Sequence, residues 1–394
     1  MMSRIQHMHC RAGGVIAARS GIGIALAAVA LFSAATDAAV APPGNNWHAA
    51  LRFTYSALSY GGFVAFSSGD KAIVESRWTG PHLASLKAGD FLLPFPLAKP
   101  GISVCKYYFD GAISPNRQLF STAVRTPGAG GWRVCIWNLK GVHLPPIILT
   151  GHCCCDGSGG LAFSPDGRRL VSVSPSPRNG SVVIHSVRSG RVYRRLAIPR
   201  GVQLSGIGAD IKFFSPTGLA CVISDTKVLL TCWNTQSGGL LYSRQVKALL
   251  DCGAVAADLK HGTLLLGGQS VGLPRKLLVA TVNGATGKTR DVLSISRSHG
   301  ARRGDVQWKD ITHICVAGRG RFAIVTETGG RSGQRGYDRI AGRFLIIDLK
   351  RMQVRYRSPT LNGVPWYSDV SAGGRRILIG GNTKVYLMRL PFKL

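Results

Sequence analysis

Apolar and polar residues alternate with a period of two along most of this chain. The clearest stretch is residues 161–196, LAFSPDGRRLVSVSPSPRNGSVVIHSVRSGRVYRRL. It divides into four short strands, Leu161–Phe163, Leu170–Val173, Val182–Val187 and Val192–Leu196. SPDGR joins the first to the second and RSG joins the third to the fourth. Such alternation sends successive side chains to opposite faces of a pleated sheet. Four strands cannot bury both faces alone, so the unit must stack against others like itself.

Copies of the unit are present. Its first turn recurs at Ser68, Ser114, Ser164, Ser215, Asp258, Ala317 and Ala372, at a spacing that suits propeller blades. The third strand recurs as WRVCIWNLKG, SVVIHSVRSG, VLLTCWNTQSG, LLVATVNGATG, RFLIIDLKRM and KVYLMRL. The pattern predicts an all-β chain: a seven-bladed β-propeller of four-stranded antiparallel blades, preceded by an N-terminal signal segment. The blades are expected at about 59–98, 102–150, 157–199, 203–250, 252–296, 308–358 and 364–394, in one domain over 41–394. The last blade lacks a fourth strand, because the chain stops after KVYLMRL. Residues 47–58, WHAALRFTYSAL, are left over at the other end and are expected to supply it. A ring closed in this way protects both sheet edges.

Gly151-His152, the LAFSPDGRRL core, Ile136-Trp137-Asn138 and Cys232-Trp233-Asn234 together resemble the WD-repeat (YVTN/WD-type) β-propeller family of the exported bacterial type. The resemblance covers about residues 46–394 and is strongest from 102 to 250. It implies the fold and says little of activity, since propellers host many unrelated functions. The third blade departs from the family's buried His–Ser–Asp–Trp network. His152 and Ser172 match, but His185 stands at the Trp position and no Asp precedes Val182.

Composition adds a compartment and a charge. Arg4, Arg11 and Arg19 precede an apolar run, Ile22–Phe32, and small residues follow it. Residues 1–40 therefore read as a cleaved export signal, or alternatively as an uncleaved anchor. The expected location is periplasmic or secreted, with no transmembrane domain beyond that segment. Net charge is +31, which favours anionic surfaces or polymers as partners. Ten cysteines are present. Cys10 would leave with the signal, and the odd number remaining leaves at least one unpaired within the chain. A two-residue turn at Thr226-Lys227 would set Cys221 opposite Cys232, making these two the candidate disulfide.

Motifs for chemistry are weak. Gly268-Gln269-Ser270-Val271-Gly272 has nucleophile-elbow spacing, but a strand, LLVATV, follows where a helix is required. Cys153, Cys154 and Cys155 beside His152 alternate sides on an extended chain and do not converge on one ion. No acidic cluster suits calcium, and no phosphate-binding loop occurs. No catalytic residue, metal site or cofactor is therefore expected.

The expected function is an exported binding or interaction module. The alternative is a hydrolase- or lactonase-like propeller enzyme with its site in the central channel. Long loops between second and third strands, with the connections between blades, carry Arg275, Lys276, Arg297, Arg302, Arg303, Arg331, Arg335 and Arg339, with Arg343 at the start of the next strand. Long loops on a rigid scaffold are where binding usually sits. These residues form the candidate patch for a protein or an anionic cell-envelope component. Peripheral membrane contact is compatible with the charge, and nucleic acid is disfavoured by export.

Overall fold

The structure, a computed structural model, describes residues 49–54, 63–67, 71–76, 80–86, 91–94, 103–104, 111–125, 132–141, 144–150, 160–174, 180–200, 202, 209–224, 227–272, 275–295, 306–331, 340–381 and 384–390. The first strand is β1, Ala49–Thr54. Blade one holds β2 (Val64–Phe66), β3 (Lys71–Ser76), β4 (Gly80–Ser85) and β5 (Phe91–Pro94). Blade two holds β6 (Ser103–Val104) and β7 (Ala112–Ile113), which both pair with β8 (Leu119–Arg125), then β9 (Trp132–Asn138) and β10 (Ile147–Ile148). Blade three holds β11 (Gly160–Phe163), β12 (Arg169–Ser174), β13 (Ser181–Ser186) and β14 (Val192–Leu196). Blade four holds β15 (Ala209–Phe213), β16 (Gly218–Ser224), β17 (Val228–Asn234) and β18 (Leu240–Gln245). Blade five holds β19 (Ala254–Asp258), β20 (Thr263–Gln269), β21 (Leu277–Asn283) and β22 (Thr289–Ile295). Blade six holds β23 (Val306–Ala317), β24 (Phe322–Arg331), β25 (Ile340–Asp348) and β26 (Gln353–Arg357), with the short β27 (Leu361–Asn362) added on β25. Blade seven holds β28 (Pro365–Val370), β29 (Arg376–Gly381) and β30 (Lys384–Arg389).

Every pairing is antiparallel, and the first strand of each blade is innermost; from blade two round to blade one through blade seven, each touches the first strand of the next. Blades one and two also meet where Gly111 lies against the Phe63 ring, a position with no room for a Cβ. The fourth strand of blade seven is β1. It runs antiparallel to β30, with Arg52 opposite Tyr386 and Thr54 opposite Lys384.

Burial explains the ring. The core is not one mass but seven layers, each filling the gap between two adjacent blades. On β9, Cys135 and Trp137 face blade one while Val134 and Ile136 face blade three. Strand alternation thus supplies two buried faces per blade. Each fully buried Leu, Ile or Val contributes about 1.5–3 kcal/mol. That return exists only when a neighbour covers the face, so the blades are stable as a ring and not singly. Among the described residues, the fourth strands carry exposed Arg195, Arg244 and Arg355, which blunt the open edges.

Antiparallel order gives the ring two unlike faces. Turns joining first to second and third to fourth strands lie on one face. Loops joining second to third strands, and the connections between blades, lie on the other. Blade six is extended toward the loop face, since β23, β24 and β25 have 12, 10 and 9 residues.

Candidate interaction surface

The inner strands carry part-buried polar groups that join the blades. An inner strand pairs on one side only, and its remaining N–H groups need acceptors. Three inner strands supply one to the next blade. Asp210 on β15 accepts from the Val255 N–H of β19 at 3.2 Å. His313 on β23 accepts from the Ser368 N–H of β28 through Nδ1 at 3.2 Å. Asp369 on β28 accepts from the Phe66 N–H of β2 at 2.8 Å. Thr312 also reaches the Pro365 carbonyl of the next blade.

Asp369 is held further by Arg117, which belongs to blade two and reaches past blade one. Its guanidinium forks onto the Asp369 carboxylate at 2.6 and 3.2 Å and donates to the Phe66 and Val370 carbonyls at 2.7 and 2.9 Å. The turn that presents Arg117 is SPNR, the counterpart of SPDG in blade three. Gly167 takes φ 70° in the latter and Arg117 takes φ 56° in the former. A left-handed non-glycine residue costs about 1–2 kcal/mol, and the four charge-assisted hydrogen bonds offset it. Asp210 is matched in the same way by Lys212 at 2.8 Å.

These groups, with Cys315, line the inner ring. Burial, assisted by the charge of Lys212, pushes the His313 imidazole down to about 4. Burial pushes the Cys315 thiol up to about 12. Each carboxylate already holds two backbone N–H groups and a cation. What the arrangement does, on this geometry, is fasten blades four to five, six to seven, and seven to one and two.

The loop face offers a different chemistry. Ser270 accepts from the Lys276 N–H at 2.9 Å, and β21 follows, so the Gly268–Gly272 motif is a strand–loop–strand connection. That loop presents Arg275 and Lys276 to solvent, and Val271 at its tip is 60% exposed. Gln269 joins it to blade six, donating to the Lys309 carbonyl and the Asp310 carboxylate at 3.0 and 2.8 Å. Arg275 donates to the Gln269 side-chain oxygen at 3.4 Å. Lys309 is exposed, and Trp366, at the loop-face end of β28, is 38% exposed.

The remaining predicted residues fall elsewhere. Arg343 is not a free surface cation. Its side chain is 13% exposed, donates to Glu327 at 2.6 Å and lies over the Trp308 ring at 4.0 Å. Glu327, opposite it in register, is fully buried, and its Oε1 has no hydrogen-bond partner among the described residues. Arg331 is the last residue of β24. Arg297, Arg302, Arg303, Arg335 and Arg339 lie outside the described residues, as do Cys153–Cys155.

The candidate disulfide is corrected by the register. Ser224 faces Val228, so three residues separate β16 from β17 instead of two. Cys221 then pairs with Thr231 and Cys232 with Ala220, and a one-residue slip moves a residue to the other face. Cys232 is a free, buried thiol that donates to the Tyr242 hydroxyl at 2.9 Å. Trp137 and Trp233 are each 1% exposed and pack in the layers between blades. Trp233 Nε1 also donates to the Ala197 carbonyl of blade three at 2.8 Å. In blade three His185 Nε2 lies 3.1 Å from Ser172 Oγ.

The chain is similar in fold to known propellers. It matches a chain of Kuenenia stuttgartiensis hydrazine synthase with a TM-score of 0.61 at 13% identity, over 84% of this chain and 96% of that one. It matches a chain of the mitotic checkpoint complex with a TM-score of 0.63 at 15% identity, over 89% of this chain and 97% of that one. At these identities the likeness is one of fold. No protein-family model and no curated protein matches the sequence.

Proposed function

We propose that this chain is an exported propeller that works as an interaction module, holding a protein partner on the loop face of blades five to seven. The observation that carries the reading is that Val271, Arg275, Lys276, Lys309 and Trp366 are all exposed at the loop-face side of blades five to seven, apolar and aromatic groups together with cations. Tryptophan and arginine supply most hot spots in protein interfaces. The scaffold beneath is fastened by the inner-strand clamps, which reduces the ordering cost of binding. The likeness to a propeller of the mitotic checkpoint complex, itself a protein assembly, supports a module of this kind.

The test is affinity purification from native membranes with the wild type and with an Arg275→Ser/Lys276→Ser/Trp366→Ala variant. The partner recovered with the wild type should be lost from the variant, and its affinity for the purified variant should fall at least about thirtyfold, the scale of one interface hot spot. Equal recovery at every salt concentration would remove the loop face as the site.

A further inference from the structure

We propose that the opposite face, the one built from tight turns, docks flat on an anionic lipid bilayer. The observation is the direction in which its charges point. Blade three presents Arg168 and Arg188, blade five Lys260 and Lys288, and blade six Lys350 and Arg351, all exposed. Blade seven adds exposed Arg375 from the turn between β28 and β29.

The carboxylates of the same turns are directed inward. Asp258 is 6% exposed and accepts from the Lys260 N–H at 3.1 Å. Asp348 is 2% exposed and accepts from the Lys350 and Arg351 N–H groups at 3.1 Å each. Asp166 is the one exposed carboxylate in these turns among the described residues, and it too accepts from its own turn, at the Arg168 N–H. Each turn therefore uses its acid to hold its backbone and leaves its base facing water. The net charge shown outward is strongly positive.

Shape selects the occupant. Short turns keep this face level, and the cations come from separate blades around the ring. They do not follow one track, as a bound polyanion chain would need. A planar anionic surface meets them all at once. Two large apolar side chains stand among them: Leu144, between β9 and β10, is 51% exposed, and Leu259, between β19 and β20, is 45% exposed. Apolar insertion and attraction to anionic headgroups act together at a membrane interface. Docking on this side leaves the loop face turned away from the bilayer. The inference does not depend on the loop-face reading.

The experiment is co-sedimentation of the full chain with vesicles of phosphatidylcholine alone, or with about one-third phosphatidylglycerol added as the anionic lipid. Binding should require phosphatidylglycerol and should weaken with salt. Each cation near such a surface contributes about fivefold, so a Lys260→Gln/Lys288→Gln/Lys350→Gln/Arg351→Gln variant should bind at least about a hundredfold more weakly. Leu144→Ser/Leu259→Ser should weaken binding while leaving its salt dependence unchanged. Arg275→Gln/Lys276→Gln, on the other face, should bind vesicles as the wild type does. These side chains are exposed, and unchanged thermal melting will verify that each variant is folded. No loss in the turn-face variant, or equal loss in the loop-face variant, would overturn the proposal. Retention on heparin without vesicle binding would overturn it in favour of a soluble polyanion. The turn-face variant should still recover the loop-face partner, so the two readings fail separately.

Discussion

Replacing Arg117 by alanine should loosen the ring where blades seven, one and two meet. The pair with Asp369 has side chains 23% and 19% exposed, between a surface pair and a fully buried one. Breaking a buried pair costs about 3–5 kcal/mol and losing a surface pair about 0–1 kcal/mol. An intermediate value of about 2–3 kcal/mol follows, and it includes the donations lost at the Phe66 and Val370 carbonyls. For a chain of this size the melting temperature should fall by about 3–4 °C, from the usual unfolding entropy per residue. Glycine at the same position should be milder than alanine by about 0.5–1 kcal/mol, because only alanine must still be held at φ 56°. Differential scanning calorimetry of Arg117→Ala, Arg117→Gly, Asp369→Ala and the Arg117→Ala/Asp369→Ala double variant measures each step. The coupling between the two residues should exceed about 1 kcal/mol. Additive single effects would refute the clamp, and alanine equal to glycine would refute the strain argument.

Three further outcomes are expected. Glu327→Gln should cost less than Arg343→Ala, because the amide oxygen can still accept from Arg343 and burial disfavours the charged carboxylate. Arg343→Ala should cost about 3 kcal/mol by leaving Glu327 buried alone, and urea unfolding of the two variants compares them. Burial, with Arg195 nearby, lowers His185 from 6.5 to about 4, so the unfolded chain takes up the proton first. Its contribution is full above pH 6.5 and is lost as pH falls toward 4, roughly 3 kcal/mol in all. His185→Gln should flatten the fall of stability across that window. Cys232, pushed by burial from 9.0 up to about 12, should alkylate about a thousandfold more slowly in the native protein than in denaturant, from thiolate fraction alone. Mass spectrometry of a non-reduced digest in which Cys232 is joined to Cys221 would contradict the observed register.

The repeating turns carried the architecture because their chemistry is local. Ser164 and Asp166 bond within one turn at 2.5 Å, and that spacing is visible in SPDG. The clamps were not visible, because their partners are distant in sequence: Arg117 and Asp369 are 252 residues apart. The signal available was a polar acceptor, Asp210, His313 or Asp369, within an inner strand. Arg343 was misjudged because its neighbour across the strands, Glu327, depends on a register that loop length alone did not fix. The cystine expectation failed for the same reason, by one residue in one loop. Trp366 carried no motif and Val271 stood only as a variable position of Gly268–Gly272, so their exposure in the folded ring is what distinguishes them from core residues.

Everything said of the two faces depends on a closed ring, and the β1–β30 pairing is where closure is made. A Thr54→Cys/Lys384→Cys variant tests it, since these residues are register partners near the two ends of the chain. Under mild oxidation the non-reduced digest should contain one peptide joining positions 54 and 384, and the melting temperature should rise, because the link closes a loop spanning almost the whole propeller. Absence of that peptide, with positions 54 and 384 alkylated in the folded protein as readily as in denaturant, would contradict the ring.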